Sequence, residues 1–392
     1  MNNLKKTLLF TSIFAACSAQ AEITLNGFAS IVAGTTTSSD ETLYGFDDNI
    51  DFSQGSLFAL QASSDLSNGL SVTAQVLSRG EDDWDPKFEW AYVAYQANDN
   101  LRFLAGRQRV PFYMFSDFLD VSYAYAWIAP PGGVYNVPFD TFDGLGAVYN
   151  TYFGEFDTTL HMVYGGNNSD LDVGGGVETD GDFNNLAGAA LTVTRDWLTL
   201  RAAYLQTEMN IGTTGTPLSS QPLVDGWNSL GQSHIADQIE ISEDTGSFIE
   251  LGFQVDLDNI IVIGEYSSLN LDDTPLANQD SYYIMAGYRF DNMLVHVTYG
   301  ADEDVQDPIA LDYQIPGIPP GTPPEFLPGD LQALIYGTQS IASKEESKYV
   351  TLGLRWDFHD SAALKFEYTS YSDDLNGSND AGLFRTALVT VF

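Results

Sequence analysis

Apolar and polar residues alternate with a period of two along almost the whole chain. Val350, Leu352, Leu354, Trp356 and Phe358 are separated by Thr351, Gly353, Arg355 and Asp357. Ile249, Leu251, Phe253, Val255 and Leu257 alternate with Glu250, Gly252, Gln254 and Asp256. Phe156, Thr158, Leu160, Met162 and Tyr164, and again Leu198, Leu200, Ala202 and Tyr204, repeat the pattern. A period of two sends one set of side chains to each face of a sheet. It predicts 16 strands, near 22–33, 56–65, 70–79, 88–97, 101–110, 142–152, 156–166, 185–194, 197–206, 248–256, 260–269, 281–290, 294–301, 348–357, 362–371 and 383–392. Most are about ten residues long, which is what a tilted strand needs to cross hydrocarbon.

The connections alternate in length. Tight turns occur at 65–69, 98–100, 153–155, 195–196, 258–259, 291–292 and 359–361. Long stretches lie between them, near 34–55, 80–87, 111–141, 167–184, 207–247, 270–280, 302–347 and 372–382. Short turns on one side and long loops on the other mark an outer-membrane barrel, with both termini on the periplasmic side. No window beyond the N-terminus holds 18 consecutive apolar residues, so helices do not span a bilayer here. In hydrocarbon every backbone group must be paired within the protein, so a spanning sheet must close. The predicted fold is therefore all-β: a 16-stranded antiparallel transmembrane β-barrel with short periplasmic turns and long extracellular loops. A barrel of roughly 16 to 18 strands leaves an aqueous channel.

Residues 1–21 read as a cleaved secretory signal peptide, leaving 22–392 as the barrel domain. Lys5 and Lys6 form a positive start, Leu8 to Ala16 an apolar stretch, and Ala19-Gln20-Ala21 a cleavage site. Ala15-Ala16-Cys17 offers a competing lipoprotein site, with Phe14 where leucine is usual. Cys17 is the single cysteine, so no disulfide forms within the chain. With Lys plus Arg at 15 and Asp plus Glu at 54, the net charge is −39. That excludes ordinary nucleic-acid binding, which needs a basic surface. Aromatics at 13% and hydrophobics at 44% argue for a folded chain with acidic loops. Trp197, Phe290, Trp356, Phe358 and Phe392 stand where strands meet short turns, as in an interfacial aromatic girdle.

The lipid-facing parity assigns seven cations to the lumen: Arg79, Arg102, Arg201, Arg289, Arg355, Lys365 and Arg385. A lipid-facing Arg or Lys near the midplane would cost roughly 2–4 kcal/mol, so any such barrel sorts its cations this way. Arg107 and Arg109 have the opposite parity to Arg102, which places them beyond the bilayer, after a bulge or at a subunit contact. The third long stretch carries Asp117, Asp120 and Asp140, with Asp143 just beyond. It also carries nine aromatics between Phe112 and Phe139, too many to lie open in water, so it packs against the wall. Its acids would face the wall arginines across a narrow constriction, with a transverse field that favours small polar solutes. Asp117 and Asp120 could instead satisfy backbone donors in turns. The acidic loops, such as Asp302 to Asp307 and Asp237 to Asp244, would gather cations at the mouth. Asp170-Leu171-Asp172 and Asp180-Gly181-Asp182 do not match a full calcium loop and read as solvated acids. Gly174-Gly175-Gly176 reads as a flexible loop tip, and the Pro-rich stretch 313–328 as an extended, stiff surface loop. The four His carry no metal-ligand spacing and no nucleophile motif appears, so no cofactor, metal or catalytic residue is expected.

The chain resembles the general (non-specific) porins of Gram-negative outer membranes, in their marine gammaproteobacterial form. The resemblance rests on Glu22 to Phe28, the turn before Leu70, Ala105-Gly106-Arg107-Gln108 and the last strand ending in Phe392. It covers essentially all of 22–392. It implies a homotrimer in the outer membrane among lipopolysaccharide, with the third loop folded into each lumen. It implies that Arg107 meets acids of a neighbour's second loop, here Glu81, Asp82 or Asp83. Phe392 is similar to the signal read by the barrel-assembly machinery, although Thr386 and Thr390 replace larger apolar residues on its face. The implied function is passive diffusion of small hydrophilic solutes and ions, leaning to cations. A channel selective for sugars or organic anions is the alternative, using the aromatic third loop and the lumen arginines. A membrane phospholipase would need a Ser/His pair on the outer wall, whereas His161 and His296 have lumen parity.

Overall fold

Sixteen strands alternate with turns and loops in a computed structural model that describes residues 22–172, 178–212, 221–375 and 379–392. The expected signal segment, Cys17 and Gly174-Gly175-Gly176 lie outside the described residues. The strands are β1 (Ile23–Thr36), β2 (Leu57–Asp65), β3 (Leu70–Arg79), β4 (Pro86–Gln96), β5 (Leu101–Arg109), β6 (Thr141–Phe153), β7 (Phe156–Asp172) and β8 (Glu178–Arg195). They continue as β9 (Leu198–Ile211), β10 (Ser242–Leu257), β11 (Ile260–Leu271), β12 (Asn278–Phe290), β13 (Met293–Val305), β14 (Lys344–His359), β15 (Ala362–Asp373) and β16 (Ala381–Val391). Each pairs antiparallel with its sequence neighbours, and β1 pairs with β16 to close the barrel. Closure leaves no edge to be desolvated.

The two faces sort as the alternation requires. On β12, Tyr282, Ile284 and Tyr288 point outward, whereas Ser281, Tyr283 and Met285 point inward and are buried. On β13, Val295, Val297 and Tyr299 face out while His296 and Thr298 face in. Trp197, Phe290, Trp356, Phe358 and Phe392 are all exposed at the short-turn end. Asp196, Asp258 and Asp291 take positive φ in the two-residue turns, a conformation that short hairpins need and Asp tolerates.

The seam depends on one glycine. Gly27 exchanges backbone hydrogen bonds of 2.8 and 2.9 Å with Phe392. The Phe392 ring lies over Gly27, where an added Cβ would come within 2.4 Å of it, and stacks on Phe58 at 5.9 Å. Thr386 and Thr390 sit on the same outer face, and their hydroxyls donate to the carbonyls of Lys365 and Ser361 at 3.1 and 2.8 Å. Their polar atoms are thus paired before they meet lipid.

Several extracellular stretches are more ordered than the alternation predicts. β7 and β8 run on through 167–172 and 178–184 as a paired hairpin. The 207–247 and 302–347 stretches carry helices α1 (Gln221–Ser229), α2 (Ser233–Asp237) and α3 (Gly329–Gln339). These helices and the Pro-rich stretch share a core of Val224, Trp227, Ile235, Ile239, Tyr313 and Ile335. Trp227 Nε1 donates to Thr338 Oγ1 at 2.8 Å, and Gln232 bonds the Gln314 backbone in both directions. The expectation of an extended, stiff loop at 313–328 is therefore corrected: Tyr313 and its neighbours are held down by this packing.

Candidate functional site: the lumen and its third loop

The third loop, residues 110–140, leaves β5 and turns into the barrel. All seven predicted cations sit on inward positions of their strands. Most do not face open water.

One side of the loop is bonded to the wall. Lys365, 1% exposed, donates to the carbonyls of Ser122, Tyr125 and Trp127. Arg355 donates to the carbonyls of Tyr123 and Tyr125, both at 2.8 Å. Glu367 accepts from the Ile128 amide at 2.8 Å and from Arg385 at 2.8 Å. Buried Glu265 accepts from the Met114 amide at 2.9 Å and from the hydroxyls of Tyr135 and Tyr283, each at 2.5 Å. Trp127 Nε1 reaches Thr298 Oγ1 at 2.8 Å. Tyr123 hydroxyl reaches the Asp360 carbonyl in a short turn, so the loop extends to the periplasmic end. Hydrogen bonds to charged groups are each worth about 1.5–3 kcal/mol, which makes this a stiff attachment.

The loop's root is pinned by a charge cluster. Asp120 pairs with Arg79 at 2.6 Å and with Arg109, and Arg109 also pairs with Asp140. Glu89 joins them, 2.8 Å from Arg79 and 3.6 Å from Arg109. A β-bulge in the β3–β4 pairing brings Glu89 there. The carboxylates of Glu89, Asp120 and Asp140 come within 4.8 Å of one another, and two guanidiniums hold them together. Burial pushes Asp120 up, but Arg109 and Arg79 outweigh it and hold the carboxyl below its usual value. Burial pushes Asp140 up to about 6, against the pull of Arg109.

The other side of the loop stays free. Asp117 is exposed and has no ion pair among the described residues. It lines a lumen cavity of about 460 Å³ together with Arg102, Arg201 and His161. Arg201 is tied to buried Glu250 at 3.2 Å and to the Pro111 carbonyl at 2.6 Å. Arg102 has no ion-pair partner among the described residues. Arg289 pairs with Asp256 at 2.5 Å and Arg355 with Asp357 at 2.8 Å.

Two of these residues sit elsewhere than proximity or parity suggested. Asp143 does not join the other acids: it shares the outward parity of Leu145 and holds Arg107 by two bonds of 3.1 and 2.6 Å on the outer face. Arg109, despite its parity, turns inward to Asp120. Glu81 lies 4.0 Å from Arg79 and Asp82 pairs with Lys87, so Glu81 and Asp82 have partners in their own chain, while Asp83 is exposed. Six of the nine third-loop aromatics are buried, Tyr123 and Tyr135 half-buried and Phe118 exposed, which leaves little ring surface for a sugar to slide on.

Sequence reasoning overlooked the wall acids Glu89, Glu250, Glu265 and Glu367. For three of them the signal was present: Glu250, Glu265 and Glu367 alternate with outward Leu251, Tyr266 and Phe366. Glu89 is reached only through the bulge.

A family model described as Gram-negative porin matches residues 8–381. No curated protein matches the chain. Among solved structures, a loop-deletion mutant of OmpT, an outer membrane protein of Vibrio cholerae, aligns with a TM-score of 0.58 at 14% identity, over 95% of this chain and 99% of that one. The outer membrane channel DcaP of Acinetobacter baumannii aligns at 0.58 and 13%, over 96% and 98%. An anion-selective porin from Comamonas acidovorans aligns at 0.56 and 13%, over 95% and 100%. At these identities the structures speak for a shared fold. Together with the closed barrel and the loop inside it, the family match identifies this chain as a member of the Gram-negative porin family, an outer-membrane β-barrel channel.

Proposed function

We propose that the channel passes small hydrophilic solutes by passive diffusion and prefers cations. The route runs along the free side of the third loop, past Asp117. One observation carries this reading: the lumen cations are already neutralised or capped, with Arg102 the exception among the described residues. The mouth keeps its acids. On the outer extensions of β13 and β14, Glu303 faces Glu346 and Asp304 faces Glu345, with only Lys344 between the first pair. A rim of one sign concentrates counter-ions. Reversal potential in planar bilayers under a KCl gradient tests this. A cation-leaning potential supports it; an anion-leaning one rejects it.

The assembly reading belongs here too. We infer a homotrimer whose contact face includes the outer Arg107–Asp143 pair, with Phe392 addressing the assembly machinery and lipopolysaccharide around the trimer. OmpT of Vibrio cholerae is described in a trimer form. Conductance steps in threes support the trimer. A selective channel for organic anions is favoured by one feature, uncommitted Arg102 beside Arg201 in the cavity. Saturable block by a dicarboxylate, lost in Arg102→Ser, would establish it.

A further inference from the structure

Phe112 and Tyr113 divide the interior. Tyr113 lines the polar cavity described above. Phe112 lines a second cavity of about 380 Å³, between the two stems of the third loop and the inner face of β7–β11. It lies toward the extracellular end, where Leu205, Met209, Phe248 and Leu269 supply its wall. Among the described residues no Asp, Glu, Lys, Arg or His lines it, in a chain whose net charge is −39. The inward side chains are mostly aliphatic and aromatic, with the neutral amides of Asn136 and Gln279 and the Thr207 hydroxyl as polar exceptions. Phe112 meets Phe139 and Phe248 edge-on, at 5.6 and 4.9 Å between ring centres, so the floor is packed.

An open diffusion pore has no use for such a surface. Apolar lining left wet in a water-filled lumen is unfavourable in proportion to its area. Small-molecule sites run from about 300 to 1,000 Å³, apolar with a few placed polar groups. A dry apolar cavity of about 150 Å³ already takes benzene. We propose that this cavity is a binding site for an uncharged small molecule with an apolar body and one hydrogen-bonding end. The body fills the space beside Phe248 and Met209, and the polar end meets Asn136 or Gln279. A charged ligand is disfavoured because nothing in the lining would pay for its desolvation.

The test uses purified full chain in detergent and ¹⁹F NMR of 4-fluorobenzyl alcohol, with 4-fluorobenzoate as the charged comparison. Ala277 lines the cavity from the β11–β12 loop and is half-buried, so Ala277→Trp fills the space from the rim. Gln279→Phe is a second filling variant, and heat-resistant electrophoretic migration reports folding of each. The expected result is saturable binding of the alcohol by the wild type, weakened at least tenfold in the filling variants and kept in Ala277→Ser. Benzoate should bind at least tenfold more weakly. Equal responses from wild type and folded filling variants would mean partition into detergent and overturn the proposal. So would a carboxylate that binds as well as the alcohol.

Discussion

The two sides of the third loop differ in what their charges do. On the side facing β11–β15, Lys365, Arg355, Glu265 and Glu367 are spent on loop carbonyls, amides and hydroxyls. On the side facing the cavity by β4–β9, Asp117 and Arg102 have no ion pair among the described residues. The same residue types therefore serve attachment in one place and are left to act on solutes in the other. Burial decides which: a buried charge must be paired, whereas an exposed one can face water. A count of lumen charges alone would overstate the field in the pore.

Substitutions on the two sides should therefore separate stability from selectivity. The largest effect is expected at the root. Arg109→Ala leaves Glu89, Asp120 and Asp140 with Arg79 as their remaining close cation, and losing one partner of a buried pair typically costs about 3–5 kcal/mol. Heat-resistant migration should collapse at a lower temperature. Lys365→Met removes the charged donor shared by three loop carbonyls, of which that of Tyr125 keeps Arg355, at about 1–3 kcal/mol for each left unpaired. The loop should loosen, and single-channel current should become noisier and larger. Asp117→Asn should leave stability within about 0.5 kcal/mol of wild type, as an exposed site does. It should nevertheless reduce the cation-leaning reversal potential.

The smallest effect is a pH dependence. Asp140 titrates near 6 in the folded chain, above its ordinary 3.8. The folded state then holds the extra proton, so this contribution to stability is fully present below about 3.8 and is lost as pH rises through about 6. Acidifying from pH 7 to 5 should therefore favour the folded loop at this position while removing one negative charge from its root. The difference between wild type and Asp140→Asn, in melting and in reversal potential, should shrink across that window.

The barrel was legible because period two and alternating connection lengths report the same closed sheet independently. The inward set of cations followed from parity, as Arg201 between outward Leu200 and Ala202 illustrates. Asp143 was legible as well, since Leu145 shares its face, but its closeness to the loop acids in sequence suggested the wrong side. Arg109 was not legible: its side chain enters a cluster that forms only once the bulge at Glu89 and the folded loop meet. The core joining α1, α2 and α3 was hidden because it unites stretches about a hundred residues apart, with no shared period.

The most direct measurement of the central claim is thiol labelling during single-channel recording. Cys17 is the single cysteine of the full sequence, so introduced thiols report cleanly once residues 1–21 are left out. A charged methanethiosulfonate would be added to Asp117→Cys, Arg102→Cys, Thr298→Cys and Thr369→Cys. The account predicts stepwise block for Asp117→Cys and Arg102→Cys. Thr298 and Thr369 lie buried on the sealed side, so their variants should not respond. Block at Thr298→Cys or Thr369→Cys, with none at Asp117→Cys, would place the conducting path on the other side of the loop and contradict the account.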